Sequence, residues 1–346
     1  MWEYGQKDQR MKTDVKKFSP LTDNFGRTLN YLRLSVTDRC NLHCTYCKPY
    51  SQISLNAKTE RLSWSELLRI VEIFTGQLGI NKLRVTGGEP FMRAGLQDFI
   101  HTVREKHPSL SIYITSNGVL VKPWIKALKK CGIAGINLSL DSLDPERYYQ
   151  LTGVNKVDQV LQNLHELLAK KIPVKINSVV LDDMPVSELL SLASLAQKLP
   201  VEVRFIEHMA INKNRPQNIS PNYTAKVLEK ILKYHYPKLT RLEGNNTTAK
   251  RFAVPSFRGT IGIIAGDSRT FCETCNRLRI TARGQLKFCL YDASALSLID
   301  MIREGKDNIE IAGEIYTAAQ HRYQNGTKAQ NACASLSLAD MVDIGG

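Results

Sequence analysis

The strongest constraint on the fold is the phase of the strand-forming segments. Six short β-rich segments alternate with longer helix-forming stretches: 31–36 (YLRLSV), 82–86 (KLRVT), 111–115 (SIYIT), 135–140 (GINLSL), 173–180 (PVKINSVV) and 201–206 (VEVRFI). In five of them the apolar residues fall on one side. Leu32, Leu34 and Val36 oppose Arg33, Ser35 and Thr37, and Leu83 and Val85 oppose Lys82, Arg84 and Thr86. Ile136, Leu138 and Leu140 oppose Asn137, Ser139 and Asp141; Val174 and Ile176 oppose Lys175 and Asn177; Val201, Val203 and Phe205 oppose Glu202 and Arg204. Strand–helix repeats imply parallel pairing through right-handed crossovers. An open sheet covered by helices on both faces reads as continuous apolar runs. A polar, largely basic second face instead suits the wide, wet interior of a barrel. Cations in such an interior need an anion, because an unpaired buried charge is costly. The competing reading is that they pair with Glu202 and Asp141.

The best helix candidate is 63–78, where Trp64, Leu67, Leu68, Val71, Phe74 and Leu78 recur at helical spacing and Ser63 with Glu66 forms a capping box. Asp144 and Pro145 read as the N-cap and first turn of another helix, and 157–169 and 187–198 are further amphipathic runs. After residue 210 the rhythm changes. Residues 211–222 read as a polar loop, 223–234 as a helix, and 260–265, 278–282 and 285–290 as antiparallel strands, the last two joined at Arg283-Gly284. Segments 296–303 and 308–321 read as helices and 328–346 as an irregular tail ending in Gly-Gly.

With 346 residues, 43% hydrophobic and 23% charged, the chain can bury a full core, which excludes wholesale disorder. No apolar run approaches the roughly 18 residues of a membrane span, and the first ten residues lack the apolar core of a secretory signal. A cytoplasmic protein is expected. The net charge of +14 points to an anionic partner: nucleic acid, a membrane surface or a phosphorylated small molecule. The short basic clusters 12–17 and 126–130 read as a solvated tail and a helix face.

The eight cysteines are grouped. Cys40, Cys44 and Cys47 form C-x3-C-x2-C directly after the first strand, where parallel barrels place active sites. Cys272, Cys275 and Cys289 form a second triplet, and Cys131 and Cys333 stand outside both. Three thiolates on one loop can hold three irons of a cubane cluster and leave the fourth open to a ligand. The alternative is a zinc knuckle completed by His43.

C-x3-C-x2-C with Tyr46, followed by Gly87-Gly88-Glu89-Pro90 after the second strand, resembles the radical S-adenosylmethionine (SAM) superfamily. The second triplet within CETCNRLRI, with DNFGR at 23–27, TSNG at 115–118, RFIEHM at 204–209 and the terminal Gly-Gly, is similar to the GTP 3′,8-cyclase (molybdenum cofactor biosynthesis protein A) family from about Asp23 to Gly346. The resemblance implies a partial (β/α)6 TIM-type barrel with a C-terminal α+β extension, divided as 1–22, a tail expected to be disordered, 23–210, the barrel, and 211–346, the extension.

The same resemblance implies two 4Fe–4S clusters, on Cys40, Cys44 and Cys47 and on Cys272, Cys275 and Cys289. It implies SAM contacts at Tyr46, Gly88, Ser139 and Met209. GTP contacts are implied at Arg33, Arg84, Thr115, Lys175, Arg277 and Arg279, with Lys82 and Arg204 nearby. Arg277 and Arg279 would also serve catalysis, and Gly345 and Gly346 would reach into the active site and assist radical initiation. The implied reaction takes hydrogen from C3′ of GTP, joins C3′ to C8, and ends in reduction and protonation. Implied partners are GTP, an electron donor, a cyclic pyranopterin monophosphate synthase that receives the product, and a second copy in a homodimer; no nucleic acid or membrane is implied. Two competing readings are another radical SAM enzyme with an auxiliary cluster, such as a peptide maturase, and a basic iron–sulfur or zinc protein that binds nucleic acid.

Overall fold

The computed structural model describes residues 18–47, 61–209, 222–243, 248–293 and 295–333. The first half alternates as read from the sequence: β1 (Tyr31–Ser35), α1 (Trp64–Gly76), β2 (Lys82–Thr86), α2 (Leu96–Lys106), β3 (Ser111–Ser116), α3 (Ile125–Lys130), β4 (Gly135–Ser139), α4 (Pro145–Thr152), α5 (Val157–Ala169), β5 (Val174–Val180), α6 (Val186–Lys198) and β6 (Glu202–Glu207). The starts are set chemically. Ser63 Oγ accepts from Glu66 N at 3.2 Å while the Glu66 carboxylate accepts from Ser63 N at 2.6 Å, the capping box that opens α1. Asp144 accepts from Arg147 N at 2.7 Å ahead of Pro145, opening α4.

β1 to β6 pair in parallel, in order. Their outer faces carry Leu32, Leu34, Leu83, Val85, Ile136, Leu138, Ile176, Val203 and Phe205, all fully buried under the helices. Each such side chain contributes roughly 1.5–3 kcal/mol. The opposite face looks into the barrel, as the alternation predicts.

The second half supplies α7 (Ala225–His235), β7 (Thr240–Leu242), β8 (Ala249–Ala253), β9 (Thr260–Ile264), β10 (Arg277–Ile280), β11 (Gln285–Lys287), β12 (Leu296–Ser297), α8 (Leu298–Arg303), α9 (Asn308–Ala319) and α10 (Gly326–Ala332). Here the structure corrects the sequence reading. β9 and β10 do have antiparallel neighbours, β8 and β11, but β9 also lies parallel to β6 and β10 parallel to β1. The strands of the described residues therefore form one 12-stranded sheet, ordered β12-β11-β10-β1-β2-β3-β4-β5-β6-β9-β8-β7, and strands from both sides of the 210/211 division share it.

The expected irregular tail from 328 begins instead within α10, opened by Asn325 accepting from Lys328 N at 2.9 Å. Leu21, ahead of Asp23, is fully buried, and its N–H donates to Leu78 O at 3.2 Å. No helix among the described residues is long and apolar enough to cross a membrane.

Candidate functional site

One cavity of about 420 Å³ occupies the barrel interior, and both cysteine triplets line it. Their placement follows from the sheet. Cys40, Cys44 and Cys47 follow the C-terminal end of β1, whereas Cys272 and Cys275 precede the N-terminal end of β10, its parallel neighbour. The triplets therefore face each other along the strand direction. They lie toward opposite ends of β1, whose five residues span about 17 Å at roughly 3.3 Å per residue.

Between them lie two rows of inward side chains. Register sets Arg277, Tyr31 and Lys82 side by side on β10, β1 and β2, and one level further on Arg279, Arg33 and Arg84. The rows are positively overcharged. Burial and then repulsion from Arg277 pull Arg279 down to about 10, and burial and Arg279 lower Arg33. Burial also lowers Lys82, whose ammonium rests 4.5 Å from the Tyr31 ring centroid and 4.8 Å from that of Tyr113. Arg84 donates to the Tyr31 hydroxyl and, at 3.3 Å, to Thr115 Oγ1.

Across the barrel the pairing alternative is partly realised. Glu202 takes Arg204 at 2.6 Å, Lys175 at 3.0 Å and Arg251 at 3.5 Å, three cations on one carboxylate. Asp141 pairs with none of the cavity cations among these contacts; it accepts from Tyr46 Oη at 2.6 Å and Val179 N at 2.7 Å. Burial raises Asp141 to about 6, and burial with the Asp141 charge raises Tyr46.

The cysteine loop after β1 is pinned by backbone bonds: Gly88 N to Thr37 O at 2.7 Å, Glu89 N to Arg39 O at 2.8 Å and His43 N to Thr152 O at 2.8 Å. A Cβ on Gly88 would stand 2.2 Å from Arg39 O. The need for glycine there thus comes from the close approach of two protein loops as well as from any ligand. Glu89 is fully buried and accepts from Ser116 Oγ at 2.9 Å and Asn117 N at 2.8 Å, joining the Gly-Gly-Glu-Pro loop to the loop after β3. Burial raises its carboxyl to about 7 against those bonds.

Among the described residues no three His, Cys, Asp or Glu side chains converge closely enough for a single metal ion, the arrangement that the zinc reading with His43 requires. The thiols are nonetheless near enough to act on one another's charge, Cys44 on Cys47 and Cys40, and Cys289 on Cys275. A multi-iron cluster takes one thiolate per iron, which neighbouring thiols can supply. Burial raises Cys40, Cys44 and Cys289, while at Cys275 burial is outweighed by Arg277 and Arg322, which hold that thiol down to about 6.

Residues 34–196 match the Radical SAM superfamily and residues 201–328 match Molybdenum Cofactor Synthesis C. The chain is 36% identical over 306 residues to the GTP 3′,8-cyclase of Desulforamulus reducens, covering 87% of this chain and 94% of that one. The chain belongs to the GTP 3′,8-cyclase family. It is also 35% identical over 342 residues to human molybdenum cofactor biosynthesis protein 1, covering 98% of this chain but 52% of the human one. The chain spans about half the length of the animal relatives it matches. Streptococcus suis SuiB shares the fold, with TM-score 0.58 and 14% identity over 84% of this chain and 69% of SuiB.

The residues expected to hold clusters, SAM or GTP, where they fall among the described residues, line this cavity: the six cysteines, Tyr46, Gly88, Ser139 and Met209, and Arg33, Lys82, Arg84, Thr115, Lys175, Arg204, Arg277 and Arg279. Gly345 and Gly346 lie outside the described residues. Cys131 and Cys333 are buried and do not line the cavity.

Tyr31 was not singled out by sequence, because its ring reads as an apolar strand residue. Glu207 was missed as well. It is buried at the end of β6 and accepts from Asp267 N at 3.0 Å, Ser268 N at 2.7 Å and Ser268 Oγ at 2.6 Å, tying the barrel to the segment that leads to the second triplet. Its signal, Glu within RFIEHM, was visible but carried no assigned role.

Proposed function

We propose that this chain converts GTP to (8S)-3′,8-cyclo-7,8-dihydroguanosine 5′-triphosphate, the first step of molybdenum cofactor synthesis. The observation that carries this reading is the pair of cationic rows held between two facing cysteine triplets in one cavity. Cys40, Cys44 and Cys47 would hold one 4Fe–4S cluster, and Cys272, Cys275 and Cys289 a second. When bound with SAM, the first cluster supplies the electron that generates the hydrogen-abstracting radical. The remaining work belongs to the chain. Arg277, Lys82, Arg279, Arg33 and Arg84 bind the triphosphate through charge-assisted bonds, strong in a site removed from bulk water. Thr115, through its bond to Arg84, and Glu202, through Lys175 and Arg204, orient cations toward the substrate. Tyr46, Gly88, Ser139 and Met209 border the SAM side. Enclosure within the barrel keeps water from reactive species and holds C3′ and C8 in attack geometry.

We place the protein in the cytoplasm as a homodimer that draws electrons from a donor. Its product passes to cyclic pyranopterin monophosphate synthase. The test is anaerobic reconstitution followed by incubation with GTP, SAM and a reductant. About eight irons per chain and a cyclised GTP product are expected from two cubanes. Iron uptake without consumption of GTP would overturn the proposed activity.

A further inference from the structure

The DNFGR segment has no place in the cavity, yet both of its charged residues are buried. Asp23 Oδ2 accepts from Arg27 Nε at 2.6 Å and from Arg322 Nη1 at 3.0 Å, with all three side chains buried. Asp23 Oδ1 closes the turn by accepting from Phe25 N and Arg27 N, each at 3.0 Å. Other guanidinium donors reach the second triplet. Arg27 Nη1 donates to Cys272 O at 3.0 Å, and Arg322 Nη1 donates to Cys275 O at 2.8 Å. Arg322 Nε donates to Phe288 O, the carbonyl just before Cys289, at 3.1 Å. Arg27 also holds Gln324 O at 2.7 Å and Tyr323 O at 2.9 Å, which fixes the turn that carries Arg322.

One carboxylate therefore orients two planar forks. The forks reach the backbone at each of the three cysteines, which come from two separate stretches of chain. The β10–β11 pairing sets the two stretches side by side, and the forks add hydrogen bonds that tie the backbone at the cysteines to one another. Guanidinium suits this work, because its donors diverge at fixed angles and an ammonium offers no such geometry. Burial makes the network all-or-none: removing one partner strands the other charges without solvent.

We infer that Asp23, Arg27 and Arg322 are positioning residues that hold Cys272, Cys275 and Cys289 in the spacing the second cluster requires. The inference rests on the reading of that triplet as a cluster site, and the experiment separates the two. The full-length chain is reconstituted anaerobically alongside a variant with Cys40, Cys44 and Cys47 all changed to Ala, and another with Cys272, Cys275 and Cys289 changed to Ala. Iron is counted and the reduced spectra are recorded by electron paramagnetic resonance. If the triplet holds a cluster, wild type takes about eight irons and each triple variant about four, with distinct spectra. If the second triple variant still matches wild type, the cluster reading itself fails.

Arg322→Gln, Arg27→Lys and Asp23→Asn are then made in the wild-type chain. Each is expected to keep the first cluster's signal and about four irons while the second cluster's signal falls at least fivefold. Retained first-cluster signal shows that the barrel has folded. Arg27→Lys keeps the charge, so loss there assigns the effect to the fork. Full retention of both signals in the three variants, or parallel loss of both in all three, would overturn the inference.

Discussion

Tyr31 places a weak acid between the two cysteine triplets. Burial pushes its phenol up, but Arg84, Arg33 and Lys82 outweigh burial and hold it down to about 7. Arg277, beside it on β10, adds to the positive surroundings. Above pH about 7 the free protein thus carries a phenolate that offsets part of the cationic excess. A bound triphosphate neutralises the same cations, so the phenol returns toward its ordinary value of about 10 and takes up a proton. The sign follows from linkage: between pH roughly 7 and 10 the logarithm of GTP affinity should fall by up to about one per pH unit. Calorimetric titration of the reconstituted protein at pH 8, in buffers of different ionisation heat, should show uptake approaching one proton. Tyr31→Phe should abolish most of that uptake and flatten the pH dependence. Undiminished uptake in the variant would mean that another group takes the proton.

At the scale of elements, the site is made by loops packed too closely for side chains. The Gly-Gly-Glu-Pro loop and the cysteine loop exchange backbone bonds, and a Cβ on Gly88 would meet Arg39 O at 2.2 Å and Cys40 N at 3.0 Å. Backbone atoms cannot swing aside as a flexible side chain can. Gly88→Ala should therefore displace the first cysteine loop and lower reconstituted iron from about eight to about four per chain, with the second cluster's spectrum unchanged. Gly76→Ala, whose Cβ meets nothing within 4 Å, is the control that should keep the full iron content. These local features were legible in the sequence. Period-two alternation exposes which strand face is wet, and Ser63 with Glu66 or Asp144 with Pro145 carries its own start signal. Pairing between distant strands was not legible. Segments 260–265 and 278–282 read as antiparallel strands because nothing in their residues names β6 or β1 as partners of β9 and β10. The Asp23–Arg27–Arg322 cluster joins residues up to 299 apart, so DNFGR could be noticed as a motif but its contact could not be foreseen.

For the whole molecule, the decisive fact is that the second half of the chain completes the barrel of the first. β9 extends the sheet beyond β6, and β10 extends it beyond β1, so both edges of the six-stranded core are paired by strands that follow residue 210. Those edges are apolar on their outer faces: Leu32 and Leu34 on β1, Val203 and Phe205 on β6, all buried. Parallel strands are stable when covered and paired, and a bare edge of this kind templates association with other chains. Residues 1–210 alone would keep the first cysteine triplet but lose both neighbouring strands, Arg277 and Arg279, and the whole second triplet. A division into an independent barrel and an appended unit predicts a soluble, cooperatively unfolding monomer from 1–210. A single continuous sheet predicts that this piece elutes as aggregates, or melts without a sharp transition, and that co-expression with 211–346 restores a soluble, associated pair. Size-exclusion chromatography and thermal unfolding followed by circular dichroism decide between them. A monomeric 1–210 with a cooperative transition would show that β9 and β10 decorate the barrel without being needed to build it.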